Sequence, residues 1–392
     1  MLKVNYKKCT GCAGCKNICP KDCIVLQEDD EGFCYPEIDM DKCMDCGLCE
    51  KVCPVDKEMN SRNQSTIPKA YAGYSKDEEI RAKSMTAGIA YLCGRYVIEQ
   101  GGVVFGAVGD VLHKVEHKKA VTLDELSPMR GSKYLQSDIG YIYREVKAEL
   151  LTGKEVLFTG TPCQVAGLYG YLGKEYENLY TLDLICHGVP SGMVLKKYIK
   201  DLEKEKGSKI IAFYRDKEMG WKPVCFSYVF ADGTKISQKG HDNLYNRAFS
   251  TNLITRKSCQ NCEYAKIPRL ADVSVGDYLQ GNKGSIHDKE NKGLSLVTIN
   301  SKKGYWLFDQ INGEIFAEEY PLEEVVSESE HLAKPPKRNI YRRSYFYLIR
   351  KHSFLSVNRI MLPNGEVHKA LRRMYGVLCY IYEFFKKDSL IK

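Results

Sequence analysis

The chain lacks any apolar run approaching the roughly 20 residues that a membrane-spanning helix needs. Even Val377–Tyr382, the longest stretch near its end, is far too short. Multi-span membrane proteins are excluded on that ground. The chain also lacks an apolar opening: Met1-Leu2-Lys3-Val4 begins no signal segment, which argues for a cytoplasmic chain. No G-x-G-x-x-G occurs, so an ordinary dinucleotide-binding fold has no support. No nucleic-acid-binding module is recognisable, and no nucleic acid is expected as a partner. With 44% hydrophobic and 28% charged residues, wholesale disorder is excluded too.

Cysteine is what the chain has in excess. Of its 17, ten precede residue 54: Cys9, Cys12, Cys15, Cys19, Cys23, Cys34, Cys43, Cys46, Cys49 and Cys53. In a secreted chain such density would mean disulfides. Without a signal segment, reduced thiols that hold metal are the expectation. The string C-T-G-C-A-G-C-K-N-I-C-P at Cys9–Pro20 recurs as C-M-D-C-G-L-C-E-K-V-C-P at Cys43–Pro54. Both copies show the C-x2-C-x2-C-x3-C-P spacing of bacterial ferredoxins, in which the fourth Cys serves the other cluster. Three close thiolates wrap three corners of a cubane, and a remote one closes the fourth. Two 4Fe-4S clusters are therefore expected, one on Cys9, Cys12, Cys15 and Cys53, the other on Cys43, Cys46, Cys49 and Cys19. Zinc ribbons, built from two C-x2-C knuckles and a longer loop, fit less well. Cys23 and Cys34 lie outside the pattern and read as buried small hydrophobes, as do Cys93, Cys225 and Cys379.

The 392 residues suffice for two or three domains. A polar stretch, Lys57 to Thr66, reads as a linker after a cysteine-rich module over 1–60. From 69 to 333, apolar runs alternate with helical spacing. Strands are expected at 102–108, 155–159, 179–185, 272–275 and 295–299, and helices at 84–100, 138–151 and 191–206. That alternation predicts an α/β domain. Residues 337–392 form a basic tail with 13 Lys and Arg against three acidic residues, so it carries +10 while the whole chain carries +8. Its cations alternate with aromatics, as in Tyr341-Arg342-Arg343 and Tyr345-Phe346-Tyr347. A basic, helical wrap over the protein's own core is the plainest reading. Peripheral contact with the inner face of a membrane is a second.

Beyond the linker, four further cysteines stand in distinctive settings. Cys163 follows an apolar strand in F-T-G-T-P-C-Q, and Cys186 ends another in D-L-I-C-H-G-V-P. Cys259 and Cys262 form a C-x2-C knuckle upstream of R-L-A-D-V-S-V-G-D. Strand ends converge on one edge of an α/β sheet, where ligands bind, so these thiols could supply four ligands. The strings G-T-P-C-Q-V-A-G-L, D-L-I-C-H-G-V-P-S, C-Q-N-C and R-L-A-D-V-S-V-G-D resemble the beta-subunit family of coenzyme F420 hydrogenases and dehydrogenases. Q-G-G-V-V-F-G at 100–106 and R-G-S-K-Y at 130–134 resemble it too. Coverage runs from about residue 70 to 330, behind a fused dicluster ferredoxin.

The resemblance implies an iron–sulfur flavoprotein. It implies a third 4Fe-4S cluster, with Cys163, Cys186, Cys259 and Cys262 as candidate ligands, and an FAD beside it. For the flavin, Ser84, Thr86 and Gly88 could turn amides and hydroxyls toward phosphate ahead of a helix. Arg130, Gly131, Ser132, Lys133 and Tyr134 offer cations, a hydroxyl and an aromatic face. Gly160 and Thr161 would let the backbone pass close to the ring. No catalytic residue is assigned, although His187 beside Cys186 could serve as a proton relay or as a hydrogen-bond partner to the site. The implied function is an oxidoreductase that passes electrons between a redox partner such as ferredoxin and a hydride-exchanging small-molecule or lipid-linked substrate. Bacterial relatives of this layout point toward surface-glycan metabolism. An electron-transfer subunit without substrate chemistry of its own is the alternative. The fold expected is thus a ferredoxin-like α+β dicluster module, a larger α/β flavin-binding domain and a basic, helical tail.

Overall fold

The computed structural model describes residues 3–55, 63, 67–278 and 288–362. The N-terminal module is small: helix α1 (Gly14–Ile18), hairpin strands β1 (Ile24–Glu28) and β2 (Cys34–Ile38), and helix α2 (Leu48–Lys51). Each helix carries one Cys-rich loop on its N-terminal side, so the sequence repeat is also a structural one. The antiparallel pairing of β1 with β2 aligns Glu28 with Cys34 across the hairpin tip.

The body is organised by an eight-stranded mixed sheet. In chain order its elements are β3 (Lys69–Ser75), α3 (Glu78–Lys83), α4 (Ile89–Glu99), β4 (Val103–Gly109), β5 (Val115–Ala120), α5 (Leu123–Leu126), α6 (Ile142–Leu151), β6 (Val156–Gly160), α7 (Pro162–Leu172) and β7 (Leu179–Leu184). A long excursion follows: α8 (Gly192–Lys206), then β8 (Ile210–Asp216), β9 (Cys225–Phe230), β10 (Lys235–Lys239) and α9 (Leu244–Ser250). The chain then returns to the main sheet through β11 (Val273–Asp277), β12 (Ser295–Ile299), α10 (Lys302–Gln310) and β13 (Ile315–Tyr320). Short helices α11 (Leu322–Glu328) and α12 (Glu330–Ala333) precede the tail helices α13 (Arg342–Lys351) and α14 (Phe354–Met361).

Strand order in the main sheet is β13-β3-β12-β11-β7-β6-β4-β5, with β11, β7, β6 and β4 parallel to their neighbours in that group. Parallel strands are covered on both faces and so read as continuous apolar runs, which is why these are visible in the sequence. The pleat sorts their side chains. Val103, Phe105, Val156 and Phe158 meet α6 and α7 on one face. Val104, Leu157 and Leu182 meet α4 and α10 on the other. One structural consequence governs the rest. The carboxyl ends of β6, β7 and β11 lie along one edge, so Gly160-Thr161, Ile185-Cys186 and Asp277 emerge side by side.

Two helix boundaries differ from expectation. The stretch 84–100 is helical only from Ile89, because Gly88 takes φ +92°, a left-handed conformation that glycine adopts without strain. The stretch 138–151 becomes helical at Ile142. By contrast Ser191 caps α8 by accepting from the Val194 amide at 3.2 Å. Strands β3, β5, β8–β10 and β13 are additions to the expected set.

The antiparallel sheet β8-β9-β10 shares one apolar core with α8, α9, α13, α14 and the hairpin residues Phe33 and Tyr35. Tail and ferredoxin module are therefore packed into a common interior. Arg342 on α13 is buried and donates to Glu31 Oε2 at 2.7 Å and to the Thr255 carbonyl at 2.6 Å, while Ser191 Oγ donates to the Glu31 carbonyl at 2.5 Å. Arg350 pairs with Asp30 on the same tip. Residues 363–392, with Cys379 and most of the tail's remaining cations, lie outside the described residues. Breaking a buried ion pair by removing one partner costs about 3 kcal/mol. Arg342→Met should accordingly lower the thermal midpoint. The loss should shrink when Glu31→Leu is added, as a double-mutant cycle on thermal unfolding would show.

Candidate metal and cofactor site

The first repeat loop and the last Cys of the module come together. The Cys12 thiol is pushed up to about 12 by burial and by its neighbours Cys9, Cys163 and Cys53. Cys15 is raised by burial and by Cys12, Cys9 and Cys53. Cys12 and Cys15 thus each lie near both Cys9 and Cys53, in keeping with the crossed ferredoxin pattern. The other expected set, Cys19, Cys43, Cys46 and Cys49, lines a void of about 400 Å³, solvent at its mouth included, together with Cys23, Ile24, Ile38 and Leu48. Cys23 is buried as expected but also faces this void, with its sulfur 3.2 Å from Cys19 Sγ. Cys34 is a correction: it is exposed, because it sits on the outer face of β2. Cys93 and Cys225 are buried, in keeping with the structural reading.

Cys163, Cys186, Cys259 and Cys262 all line one cavity of about 490 Å³, solvent at its mouth included, with Thr10, Val189, Arg256, Arg269 and His331. Three features of the fold bring them there. Cys163 occupies the first turn of α7, where Thr161 and Gln164 form a capping box. Cys186 follows β7 on the adjacent strand end. The knuckle reaches them because residues 189–191 pair with 254–256: the Ser191 amide donates to Ile254 and the Arg256 amide to Val189, each at 2.9 Å. The Val189 amide donates to Cys259 Sγ at 3.4 Å, the kind of N–H···S contact that tunes cluster ligands. The Cys186 thiol is raised well above its ordinary range by burial and then by Cys259, Cys163 and Cys262. Cys259 is pushed up to about 12 and Cys262 to about 11, again by burial first.

Four sulfur donors around a void suit a group larger than one ion. Charge points the same way. Arg256 is 1% exposed, and its acceptors are neutral: the Cys9 carbonyl (3.1 Å), Gln136 Oε1 (2.9 Å) and the Cys34 carbonyl (2.6 Å). A buried cation without an anion is costly, and thiolate-ligated iron would supply the missing negative charge. Arg269, in the same wall, is already matched by Asp183 at 3.3 Å and caps the Leu184 and Leu332 carbonyls.

The two thiol sets nearest each other meet along one face of α7. Gly167 lies one turn after Cys163, on the same side of the helix. A Cβ there would stand 2.9 Å from Cys12 Sγ and 2.9 Å from the Tyr143 hydroxyl, so only glycine lets the ferredoxin loop approach. Tyr143 ties the approach down, its hydroxyl lying 2.8 Å from both the Cys12 and Gln164 carbonyls and sharing its one proton between them. Arg144 reaches the Asn17 and Cys19 carbonyls, and Gln136 the Thr10 carbonyl.

None of the ten expected flavin residues lines the thiol cavity. Several meet farther along the same edge, around Asp277 at the end of β11. Thr86 Oγ1 donates to Asp277 Oδ1 at 2.7 Å and Arg215 Nη1 to Asp277 Oδ2 at 2.6 Å. The Tyr134 ring lies close enough to Arg215 to interact with it electrostatically. Lys217 Nζ donates to the carbonyls of Arg81, Ser84 and Thr86, and its ammonium is brought down to about 8 by burial and by Arg215 and Arg81. Ser84 Oγ and Arg215 Nη2 are buried without a hydrogen-bond partner among the described residues. Gly88 starts α4 with no side-chain cap bond among the described residues. The structure therefore joins Ser84, Thr86, Gly88 and Tyr134 and adds Arg215, Lys217 and Asp277, of which sequence reasoning singles out neither cation. Both lie about 130 residues downstream of the loop they serve.

The remaining candidates play local parts. Arg130 stacks on Tyr91 at 4.3 Å, Gly131 takes φ +89°, and Ser132 is exposed. Lys133 Nζ donates to the carbonyls of Pro128, Arg130 and Gly131, and burial brings it to about 8. Gly160 ends β6, and Thr161 Oγ1 lies 3.2 Å from Cys163 Sγ. His187 Nδ1 lies 2.8 Å from His331 Nε2, and burial lowers His187 to about 4, so it is neutral near pH 7.

Residues 8–57 match the family model of the 4Fe-4S dicluster domain, a span that holds all eight repeat cysteines. Residues 153–325 match the model for the C terminus of the coenzyme F420 hydrogenase/dehydrogenase beta subunit, a span that holds Cys163, Cys186, Cys259 and Cys262. Among solved structures, a chain of the F420-reducing NiFe hydrogenase complex from Methanosarcina barkeri is similar at 21% identity, over 71% of this chain and 92% of that one, with a TM-score of 0.44. No curated protein matches. If the four cavity thiols share one cluster, Cys259→Ser should remove roughly a third of the iron and leave the rest, since three four-iron cubes hold about twelve. Iron analysis of anaerobically purified protein reads this directly.

Proposed function

We propose that this chain, in which a 4Fe-4S dicluster domain precedes a C-terminal domain of the coenzyme F420 hydrogenase/dehydrogenase beta-subunit type, is an iron–sulfur flavoprotein oxidoreductase. It exchanges electrons with a protein redox partner and with a hydride-exchanging substrate or coenzyme. The observation that carries this reading is the convergence of Cys163, Cys186, Cys259 and Cys262 on one cavity, beside the face of α7 on which the Cys12 loop also rests. Three clusters held at these thiols would supply single-electron transfer, and an FAD the exchange between single electrons and a hydride.

The protein's own residues have distinct tasks in that scheme. Gly167 and Tyr143 hold the ferredoxin loop against α7, keeping the two inner thiol sets close. The segment 134–136 links the far end of the site to the near one, since Tyr134 contacts Arg215 while Gln136 contacts Arg256. Ser84, Thr86, Arg215 and Lys217 would bind the anionic part of a flavin, with Asp277 orienting Arg215 and Thr86. Burial of these cations keeps water from screening them. Among the described residues no helix is long and apolar enough to cross a membrane. The partner, in this reading, approaches the ferredoxin module, where Cys46 is exposed.

Flavin content tests the reading. The chain purified without oxygen should carry one FAD. Arg215→Gln should weaken retention roughly tenfold, the worth of one charge-assisted hydrogen bond of about 1.5 kcal/mol, without loss of iron. A flavin-free wild-type protein, or a variant that holds FAD as tightly, would contradict it.

A further inference from the structure

Arg256 stands between two thiol sets and belongs to neither. It lines the cavity of Cys163, Cys186, Cys259 and Cys262. Its Nε and Nη2 reach the Cys9 and Cys34 carbonyls of the ferredoxin module. Nη1 is held by Gln136, whose own amide holds the Thr10 carbonyl at 2.8 Å. The guanidinium also lies over the Tyr35 ring at 4.3 Å. It is thus fixed on four sides and almost wholly out of water. Unlike Arg269, it meets no carboxylate among its hydrogen-bond acceptors in the described residues.

Among the described residues the other ferredoxin void, lined by Cys19, Cys43, Cys46 and Cys49, has only the exposed Lys21 as a cation in its walls, and Arg144, which reaches the Cys19 carbonyl, is partly exposed and neutralised by Asp22. A buried positive charge stabilises whichever oxidation state is more negative, and weak screening in the interior lets it act over several ångströms. Net charge and hydrogen bonding are the protein's main means of setting a cluster's potential.

We propose that Arg256 is a positioning residue whose fixed charge raises the reduction potentials of the groups held at Cys9/Cys12/Cys15/Cys53 and at Cys163/Cys186/Cys259/Cys262 together, leaving the Cys19/Cys43/Cys46/Cys49 group unaffected. It rests on the three-cluster reading above. Each reduction adds one electron and makes or breaks no bond, so the effect is read as a potential. One cation beside two neighbouring sites shifts both potentials in the same direction, so it moves them together relative to the outer site. The outer site is free to differ and to match an external partner.

The test is an EPR-monitored redox titration of the full chain under anaerobic conditions, with dithionite as reductant and iron quantified in every sample. In Arg256→Gln two of the three midpoint potentials should fall and the third should hold. Arg256→Lys, which keeps the charge but not the fork, should stay near wild type. Unchanged potentials at full iron content would overturn the proposal, as would an equal fall in all three. Should the Gln variant fail to retain iron, Arg256→Lys decides alone: potentials near wild type support a role for charge, and a marked fall refutes it. About eight irons per unsubstituted chain would instead remove the three-cluster reading. The proposal would then stand or fall on whether the potential of the Cys9 group drops in Arg256→Gln.

Discussion

Everything in this structure depends on holding sulfur donors apart around a space rather than letting them close on one another. Buried thiols have no strong partners of their own, and a cavity lined by them is a loss of packing unless something fills it. The backbone supplies the spacing. Parallel strands β6 and β7 deliver Cys163 and Cys186 to one edge at the sheet's own strand separation, about 4.8 Å. The knuckle is brought to them by pairing of 189–191 with 254–256. No single element could place four thiols this way; three converging ones can.

The same constraint explains why the ferredoxin module is bound so firmly. Its approach to α7 requires glycine at 167, and the contact is then secured almost entirely through backbone carbonyls of the Cys loop, taken up by Tyr143, Arg144, Gln136 and Arg256. Carbonyl acceptors leave the cysteine side chains free for metal. On its other side the hairpin tip is gripped by Arg342, Arg350 and Lys257. The first part of the basic tail thereby spends charge on the protein itself. Phe346 and Tyr345 go into the core that Phe33 and Tyr35 share.

Legibility in the sequence follows physical locality. The repeat at Cys9–Pro20 and Cys43–Pro54 is plain because spacing within one loop is the chemistry. Strands β4, β6, β7, β11 and β12 are plain because burial on both faces makes them uniformly apolar. Strand β3, Lys69–Ser75, is not, since it alternates polar and small residues beside the edge strand β13. The β8–β10 sheet escapes notice because its three antiparallel strands follow one another with no helix between them, outside the strand–helix alternation of the main sheet. Arg215, Lys217 and Arg256 are invisible as site residues: each acts on a segment more than 100 positions away, and nothing local distinguishes a buried cation from a surface one. The candidate set 130–134 is only partly apt, because Lys133 turns back on its own loop.

Spin quantitation of the anaerobically reduced chain tests the central claim most directly. With three thiol-lined sites filled and reduced, integration of the EPR signal should approach about three spins per chain, one for each 4Fe-4S centre. Broadening should appear where the Cys163 and Cys12 sites adjoin across Gly167. Two spins, with the spectrum of an isolated dicluster ferredoxin, would mean that the cavity of Cys163, Cys186, Cys259 and Cys262 holds no cluster.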